Sequence, residues 1–158
     1  MSGETSIEIG SKAPDFSLPG TGDKNYSLSQ FRGTAVVLVF YPGDSTAVCT
    51  KQLCSYNDEL SQFSNVGAQV LAISHQNMAS HDKFATKHNF MFPLLSDPDK
   101  KVLNEYGVVG FAGLPRRSVF VIDPNGVVKY VHRSLVGVTF RPVKELIEAI
   151  ANAQAGIK

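Results

Sequence analysis

A run of six apolar residues, Ala35 to Phe40, constrains the fold of this chain more than any other feature of its sequence. The run is too short for a stable helix and is rich in β-branched residues, so it predicts a buried strand. Pro42-Gly43-Asp44 ends that strand. Ser45 and Thr46 are N-cap candidates for a helix that follows and extends to about Phe63. The sequence therefore predicts a strand, a tight turn and a helix in immediate succession.

This arrangement places Cys49 in the first turn of the predicted helix. The unpaired backbone N–H groups and the positive end of the helix dipole favour a thiolate there. Cys54 follows five residues later. In an ideal helix the two Cα atoms would be about 8.6 Å apart, beyond the ~7 Å limit for a disulfide. The pair is therefore either reduced within a helix or bridged after the first turns have unwound.

Composition limits the classes of function that the chain can have. The 158 residues fit one domain, residues 1–158, and 43% hydrophobic with 18% charged residues is typical of a globular protein. Fifteen Lys and Arg against fourteen Asp and Glu give no electrostatic basis for a nucleic-acid partner. No apolar run approaches the ~18 residues that a membrane span requires. The first residues, Met1 to Thr5, lack the pattern of a signal peptide, so we expect a cytoplasmic location.

The rest of the chain alternates between predicted strands and helices. The first part is predicted to contain an edge strand or extended arm within Ile7–Leu18, a turn at Gly20–Lys24, and a segment Tyr26–Phe31 that leads into a short helical turn ending at Gly33. After the first helix, the predicted elements are a strand at Ala68–Ser74, a helix at Asn77–Asn89, a short strand at Pro93–Leu95, a helix from Ser96-Asp97-Pro98 to Tyr106 closed by Gly107, a hairpin of Ser118–Ile122 and Val127–Val131, and a final helix from Arg141-Pro142. Crossovers require parallel strands and the hairpin requires antiparallel ones. We therefore expect an α/β, thioredoxin-like fold, with a central mixed sheet and helices on both faces.

Several motifs resemble those of a known family. Pro42-x-x-x-Thr46-x-x-Cys49, after a strand ending in Phe40-Tyr41, is similar to the active-site signature of the peroxiredoxins. The spacing of the second cysteine and two further segments resemble the peroxiredoxin Q, or bacterioferritin comigratory protein, subfamily. Those segments are Gly10-x-x-Ala13-Pro14-Asp15-Phe16-x-Leu18 and the run from Gly113 to Asp123. The resemblance extends from about Gly10 to Ile150.

The resemblance implies roles for four residues in the first half of a peroxidase reaction. Cys49 would be the peroxidatic cysteine, which attacks the O–O bond of a hydroperoxide and becomes a sulfenic acid. The hydroxyl of Thr46 would hydrogen-bond sulfur and substrate, and Pro42 would shield the pocket. Arg117, six residues before Asp123, would be the active-site arginine.

The resemblance also implies how the enzyme would be regenerated. Cys54 would be the resolving cysteine, which condenses with the sulfenic acid, and thioredoxin or a glutaredoxin-like donor would reduce the resulting disulfide. No metal, haem or flavin cofactor is implied. Because both cysteines belong to one short segment, a monomer suffices, and a dimer stays possible.

Other interpretations of these residues stay open. Both cysteines are also compatible with small core residues, since free cysteine is among the most buried residue types. A thioredoxin-like metallochaperone would use them with a histidine, and a redox sensor would use them as a switch. His81 and His88, two helical turns or ~10.5 Å apart, are too distant to share one ion, so we expect surface or packing roles for the histidines. Three aromatic residues fit either a pocket rim or the core: Phe90, Phe92 and Phe111.

Overall fold

A computed structural model of the chain describes residues 7–44, 46–110, 113–134 and 140–155. Within these residues, seven strands form one sheet. They are β1 (Ser17–Gly20), β2 (Lys24–Ser27), β3 (Ala35–Phe40), β4 (Ala68–Ser74), β5 (Leu94–Ser96), β6 (Ser118–Ile122) and β7 (Val128–Arg133). Their order across the sheet is β2-β1-β5-β4-β3-β6-β7. β4 is parallel to β3 and β5, whereas β6 is antiparallel to β3 and β7, which confirms the predicted mixed sheet.

The helices cover both faces of this sheet. They are α1 (Ala47–Asp58), α2 (Leu60–Asn65), α3 (Met78–His88), α4 (Lys101–Glu105) and α5 (Val143–Ala155), with a 3₁₀ turn at Leu28–Phe31. This arrangement confirms the predicted thioredoxin-like α/β architecture. None of the helices in the described part of the chain is long and apolar enough to cross a membrane.

β3 lies at the centre of the molecule and contributes to two separate cores. Its six residues are all buried, in agreement with an apolar run that does not alternate with polar residues. Val37 and Val39 pack on one face, in a cluster that also contains Leu53 of α1 and residues of α5. Val36, Leu38 and Phe40 point to the other face, with residues of α4 and the 3₁₀ turn. The loop that follows β3 is therefore anchored by a strand that is packed on both sides.

The helix predicted to extend to Phe63 is instead interrupted, and that part of the prediction is wrong. Glu59 has φ −111° and ψ 25°, which are not helical values, so α1 ends at Asp58 and α2 begins at Leu60. The helix predicted from Ser96-Asp97-Pro98 begins later, at Lys101, because Lys100 adopts a left-handed conformation with φ 63°. Asp97 lies outside this helix but satisfies one N–H of its first turn, since its carboxylate accepts the Leu103 N–H at 2.9 Å.

The sequence analysis did not predict β2, and of its two alternatives for Ile7–Leu18, an edge strand or an extended arm, the edge strand is wrong. β1 begins only at Ser17, and it is flanked by β2 and β5. The hairpin turns within Thr21–Asp23, inside the predicted turn, and is closely packed. A Cβ atom on Gly20 would lie 2.6 Å from the ring of Tyr26. Only a glycine allows this approach, so Gly20 lets the two strands of the hairpin pack closely at the edge of the sheet.

Candidate active site

The turn after β3 positions the start of α1. Thr46 is the N-cap residue, as predicted, and its carbonyl accepts the N–H of Thr50 at 2.9 Å. Its hydroxyl does not cap the helix; it donates to the carbonyl of Gly43 at 3.1 Å. The other predicted N-cap candidate, Ser45, lies outside the described residues. Pro42 is half-buried at the beginning of this turn.

Cys49 is the third residue of α1 and its side chain is fully buried. Nη2 of Arg117 donates to Cys49 Sγ at 3.2 Å. The neighbouring Arg116 instead points its Nε to the carbonyl of Ser134, at 2.7 Å. The sequence-predicted Arg117 and Cys49 thus lie together, and a guanidinium in contact with sulfur stabilises negative charge on it.

Two buried side chains, Gln52 and Tyr56, and one backbone carbonyl form a chain of hydrogen bonds that holds the guanidinium in place. Nη1 of Arg117 donates to Gln52 Oε1 at 2.5 Å, Nε2 of Gln52 donates to the Tyr56 hydroxyl at 3.2 Å, and Tyr56 donates to the carbonyl of Arg141 at 2.9 Å. Burial raises the pKa of Tyr56 to about 12, so the hydroxyl keeps its proton. Sequence reasoning missed Gln52 and Tyr56. Their spacing of three and seven residues from Cys49 places all three on one helix face, and that was the available signal.

A buried contact between an aspartate and a histidine lies under the same turn, and the sequence analysis did not predict it. His81 Nδ1 lies 2.7 Å from Asp44 Oδ2, and the two side chains are 0% and 2% exposed. The hydroxyls of Tyr41 and Ser80 also donate to Asp44, each at 2.6 Å. Burial acts to raise the pKa of Asp44, but these hydrogen bonds outweigh it and hold the pKa below its usual value. Because Asp44 lies two residues before the N-cap, the pair ties the turn to α3.

Cys54 lies further along α1 and is half-buried. α1 is continuous through both cysteines, and both are free thiols, which is the reduced state of the two that the spacing predicted. Sγ of Cys54 lies 3.7 Å from Nδ1 of His88. Burial, and then the charge of Asp58, raise the pKa of Cys54 above the usual value of a thiol.

The remaining candidates from the sequence fall into other environments. Phe92 is 2% exposed and belongs to a core cluster, and Phe90 packs against that cluster, so both favour the core interpretation. Phe111 lies outside the described residues. Among the residues that the structure describes, no group of three or more His, Cys, Asp and Glu side chains is placed to hold a metal ion.

Comparisons with known proteins agree with this geometry. The sequence profile of the AhpC/TSA family matches residues 9–131. Peroxiredoxin Q of Oryza sativa subsp. japonica is 41% identical over 151 residues, 94% of this chain and 68% of the relative. Peroxiredoxin Q of Triticum aestivum is 42% identical over 146 residues, 91% of this chain and 65% of the relative. Both plant proteins are named as chloroplastic.

Solved structures give the same result. A cysteine-to-serine mutant of PrxQ from Xylella fastidiosa superposes with a TM-score of 0.85 at 27% identity, covering 94% of this chain and 98% of that one. The bacterioferritin comigratory protein of Xanthomonas campestris gives 0.82 at 29% identity, covering 94% and 98%. These matches define a thiol-dependent peroxidase, an oxidoreductase with a thioredoxin-like fold. The chain belongs to the AhpC/TSA family of peroxiredoxins, and its resemblance to the peroxiredoxin Q subfamily is confirmed.

Proposed function

We propose that this chain reduces hydrogen peroxide and organic hydroperoxides with Cys49 as the peroxidatic cysteine. The observation that carries the proposal is the 3.2 Å hydrogen bond from Arg117 to Cys49 Sγ. The thiolate attacks one peroxide oxygen, an S–O bond forms and the O–O bond breaks. The leaving hydroxide or alkoxide takes up a proton, and Cys49 becomes a sulfenic acid. The reaction requires no cofactor.

Ionisation of the thiol alone does not explain fast catalysis. A thiol with an ordinary pKa near 8.5 is about 3% ionised at pH 7, so complete ionisation gains only about thirty-fold. A less basic thiolate is also a weaker nucleophile. Most of the acceleration must come from groups that stabilise charge on the oxygens as their bond breaks. Arg117, which is oriented by Gln52, and Thr46 are the side chains proposed for this role.

Substrate is proposed to enter along the turn that precedes α1. Cys49 itself has no exposed surface, whereas Thr46 is exposed and Pro42 is half-buried. A hydroperoxide is small enough to reach the sulfur if this turn moves slightly. Pro42 would then limit the access of water.

Cys54 is the proposed resolving cysteine. Because both thiols lie in one helix, five residues apart, the first turns of α1 must unwind before they can bond. Condensation of Cys54 with the sulfenic acid then releases water and gives an intramolecular disulfide. A thioredoxin or glutaredoxin-like dithiol would reduce this disulfide and restore the helix.

The proposed cycle has consequences for assembly and location. All of the proposed site residues belong to one chain, and we propose that residues 1–158 form one domain, so that a monomer contains the complete site and a dimer is also compatible. Recycling by a dithiol requires a compartment that keeps thiols reduced, and we propose the cytoplasm.

Intact mass after one equivalent of hydrogen peroxide tests the function. Wild-type protein is expected to lose two hydrogens, which indicates an internal disulfide. The Cys54→Ser variant is expected to gain one oxygen or to form a dimer through Cys49. The Cys49→Ser variant serves as the control and is expected to stay unchanged. Oxidation of the Cys49→Ser protein at the wild-type rate would exclude Cys49 as the nucleophile.

A further inference from the structure

We propose that His88 is the general base that removes the proton from Cys54 when the sulfenic acid is resolved. The inference rests on the proposed function, since only a resolving thiol needs such a base. Nδ1 of His88 lies 3.7 Å from Cys54 Sγ, within reach of a hydrogen bond that involves sulfur. His88 contacts a reacting atom and is therefore a catalytic residue of the second half of the cycle.

The imidazole ring is held in a fixed orientation. It is stacked on Phe90, with 5.5 Å between ring centroids and 22° between planes, and it meets the ring of Phe84 edge-on at 5.2 Å. His88 is also the last residue of α3, where the helix dipole stabilises the positive charge that the ring acquires with the proton. These surroundings favour a base with one defined partner.

A second contact aligns the two helices at this point. The side chain of Asn57, one turn after Cys54, donates from Nδ2 to the carbonyl of Asn89 at 3.1 Å and accepts the N–H of Met91 at 2.7 Å. The clamp fixes the distance between α1 and the end of α3. The contact between Cys54 and His88 is therefore supported by hydrogen bonds between α1 and the backbone that follows α3.

The resolving thiol needs a base in this environment. The thiolate is the nucleophile in disulfide formation, and burial together with Asp58 disfavours that form of Cys54. Two lysines are close in sequence, Lys51 one turn earlier on α1 and Lys87 beside His88 on α3, but both are exposed. Phe84 and Phe90 present only apolar rings. His88 is thus the group placed to accept the proton.

The proposed step balances without another reactant. The S–H proton of Cys54 moves to Nδ1 of neutral His88 while α1 is still folded. As the turn between the cysteines loosens, the thiolate attacks Sγ of the Cys49 sulfenic acid, an S–S bond forms and the S–O bond breaks. The departing hydroxide takes a proton from the imidazolium or from solvent and leaves as water. Cys54 sulfur is oxidised and Cys49 sulfur is reduced by the same amount.

The test follows oxidation and resolution separately. Reduced protein is mixed with one equivalent of hydrogen peroxide and quenched at intervals. Any sulfenic acid is trapped with dimedone, and intact mass gives each species. His88→Phe keeps a ring between Phe84 and Phe90 and removes the base, and His132→Phe on β7 is the matched control. At about pH 7 we expect His88→Phe to form the sulfenic acid at the wild-type rate and to form the disulfide at least about tenfold more slowly.

The pH dependence distinguishes a base from a packing contact. Near pH 9 bulk solvent ionises much more of Cys54, so the gap between His88→Phe and wild type should narrow markedly. An equal defect at both pH values, or no defect at either, would overturn the assignment. If His88→Phe does not fold, the pH dependence of the resolution rate in the wild-type protein tests the proposal. With the base, its resolution rate levels off between pH 7 and 9, whereas without one it rises about tenfold per pH unit until the thiol is ionised. Failure of the sulfenic acid to form at all would instead refute the proposed function.

Discussion

The guanidinium of Arg117 and the sulfur of Cys49 lie 3.2 Å apart, although 68 positions separate them in the chain. The register of the sheet explains this proximity. β6 runs antiparallel to β3, and Ser118 pairs with Phe40, so the residue before β6 lies beside the turn after β3. α1 begins directly after that turn, and Cys49 lies in its first turn. The pairing of β3 with β6 therefore brings together the two loops that carry Cys49 and Arg117.

Replacement of Arg117 tests whether its fork of donors is needed. Arg117→Met removes both the contact to Cys49 and the contact to Gln52, and we expect oxidation of Cys49 to slow about 10²- to 10³-fold. Arg117→Lys keeps the charge but lacks two parallel donors, so a smaller loss is expected. Quenched-flow oxidation with hydrogen peroxide measures both. Arg116→Met, which removes a neighbouring charge but no contact to Cys49, is the control, and an equal loss in that variant would show that charge near the site, not the specific contact, is responsible.

The Thr46 hydroxyl is expected to accept a hydrogen bond from the substrate, and its removal is expected to slow the oxidation of Cys49. Its hydroxyl proton is donated to the Gly43 carbonyl at 3.1 Å, which leaves the oxygen lone pairs to accept a hydrogen bond from a hydroperoxide. Thr46→Val keeps the shape and removes the hydroxyl, and we expect Cys49 oxidation about 100-fold slower. Thr46→Ser should recover most of the rate. Peroxide kinetics near wild type in Thr46→Val would remove this residue from the mechanism.

Tyr56 links the site to the stability of the fold. Tyr56→Phe leaves the Arg141 carbonyl without its donor and the Gln52 amide without an acceptor, and we expect a loss of about 1–3 kcal/mol in the free energy of unfolding. Urea denaturation measures the loss. Tyr26→Phe is the control, because the Tyr26 hydroxyl makes only a long, 3.4 Å bond to the carbonyl of Thr21. A loss as large in Tyr26→Phe would contradict the importance assigned to the network.

The local elements of the site could be predicted from sequence because local patterns determine them. The apolar run from Ala35 to Phe40 predicts β3, and the Pro-Gly-Asp break with a threonine before Cys49 predicts the start of α1. Local patterns did not predict the break at Glu59, since glutamate is a good helix former and the chain there carries no glycine or proline. β2 was missed for the related reason that its residues are mostly polar.

Polar partners that are distant in sequence were harder to predict. Arg117 could be proposed only through the resemblance, because no local pattern shows that it meets Cys49. The contact between Asp44 and His81 joins residues 37 positions apart and depends on how α3 packs beside the turn. Neither spacing nor composition indicates such a pair. The same limit applies to Cys54 and His88, which meet only because α1 and α3 are neighbours.

The buried Asp44–His81 pair gives a prediction for stability against pH. The pKa of Asp44 is lowered in the fold, so its contribution is complete above its ordinary pKa of about 3.9 and is lost as the pH falls through the lower folded value. Asp44→Asn removes the carboxylate that accepts the hydrogen bonds from Tyr41 and Ser80 and contacts His81, and a hydrogen bond to a charged group contributes about 1.5–3 kcal/mol. The difference from wild type in urea unfolding should therefore be large at pH 7 and shrink below about pH 4. Asp82→Asn, an exposed neighbour on α3, should show little difference at either pH. If the difference in the free energy of unfolding between Asp44→Asn and wild type stays constant from pH 7 to pH 3, packing and not charge makes the contact stabilising.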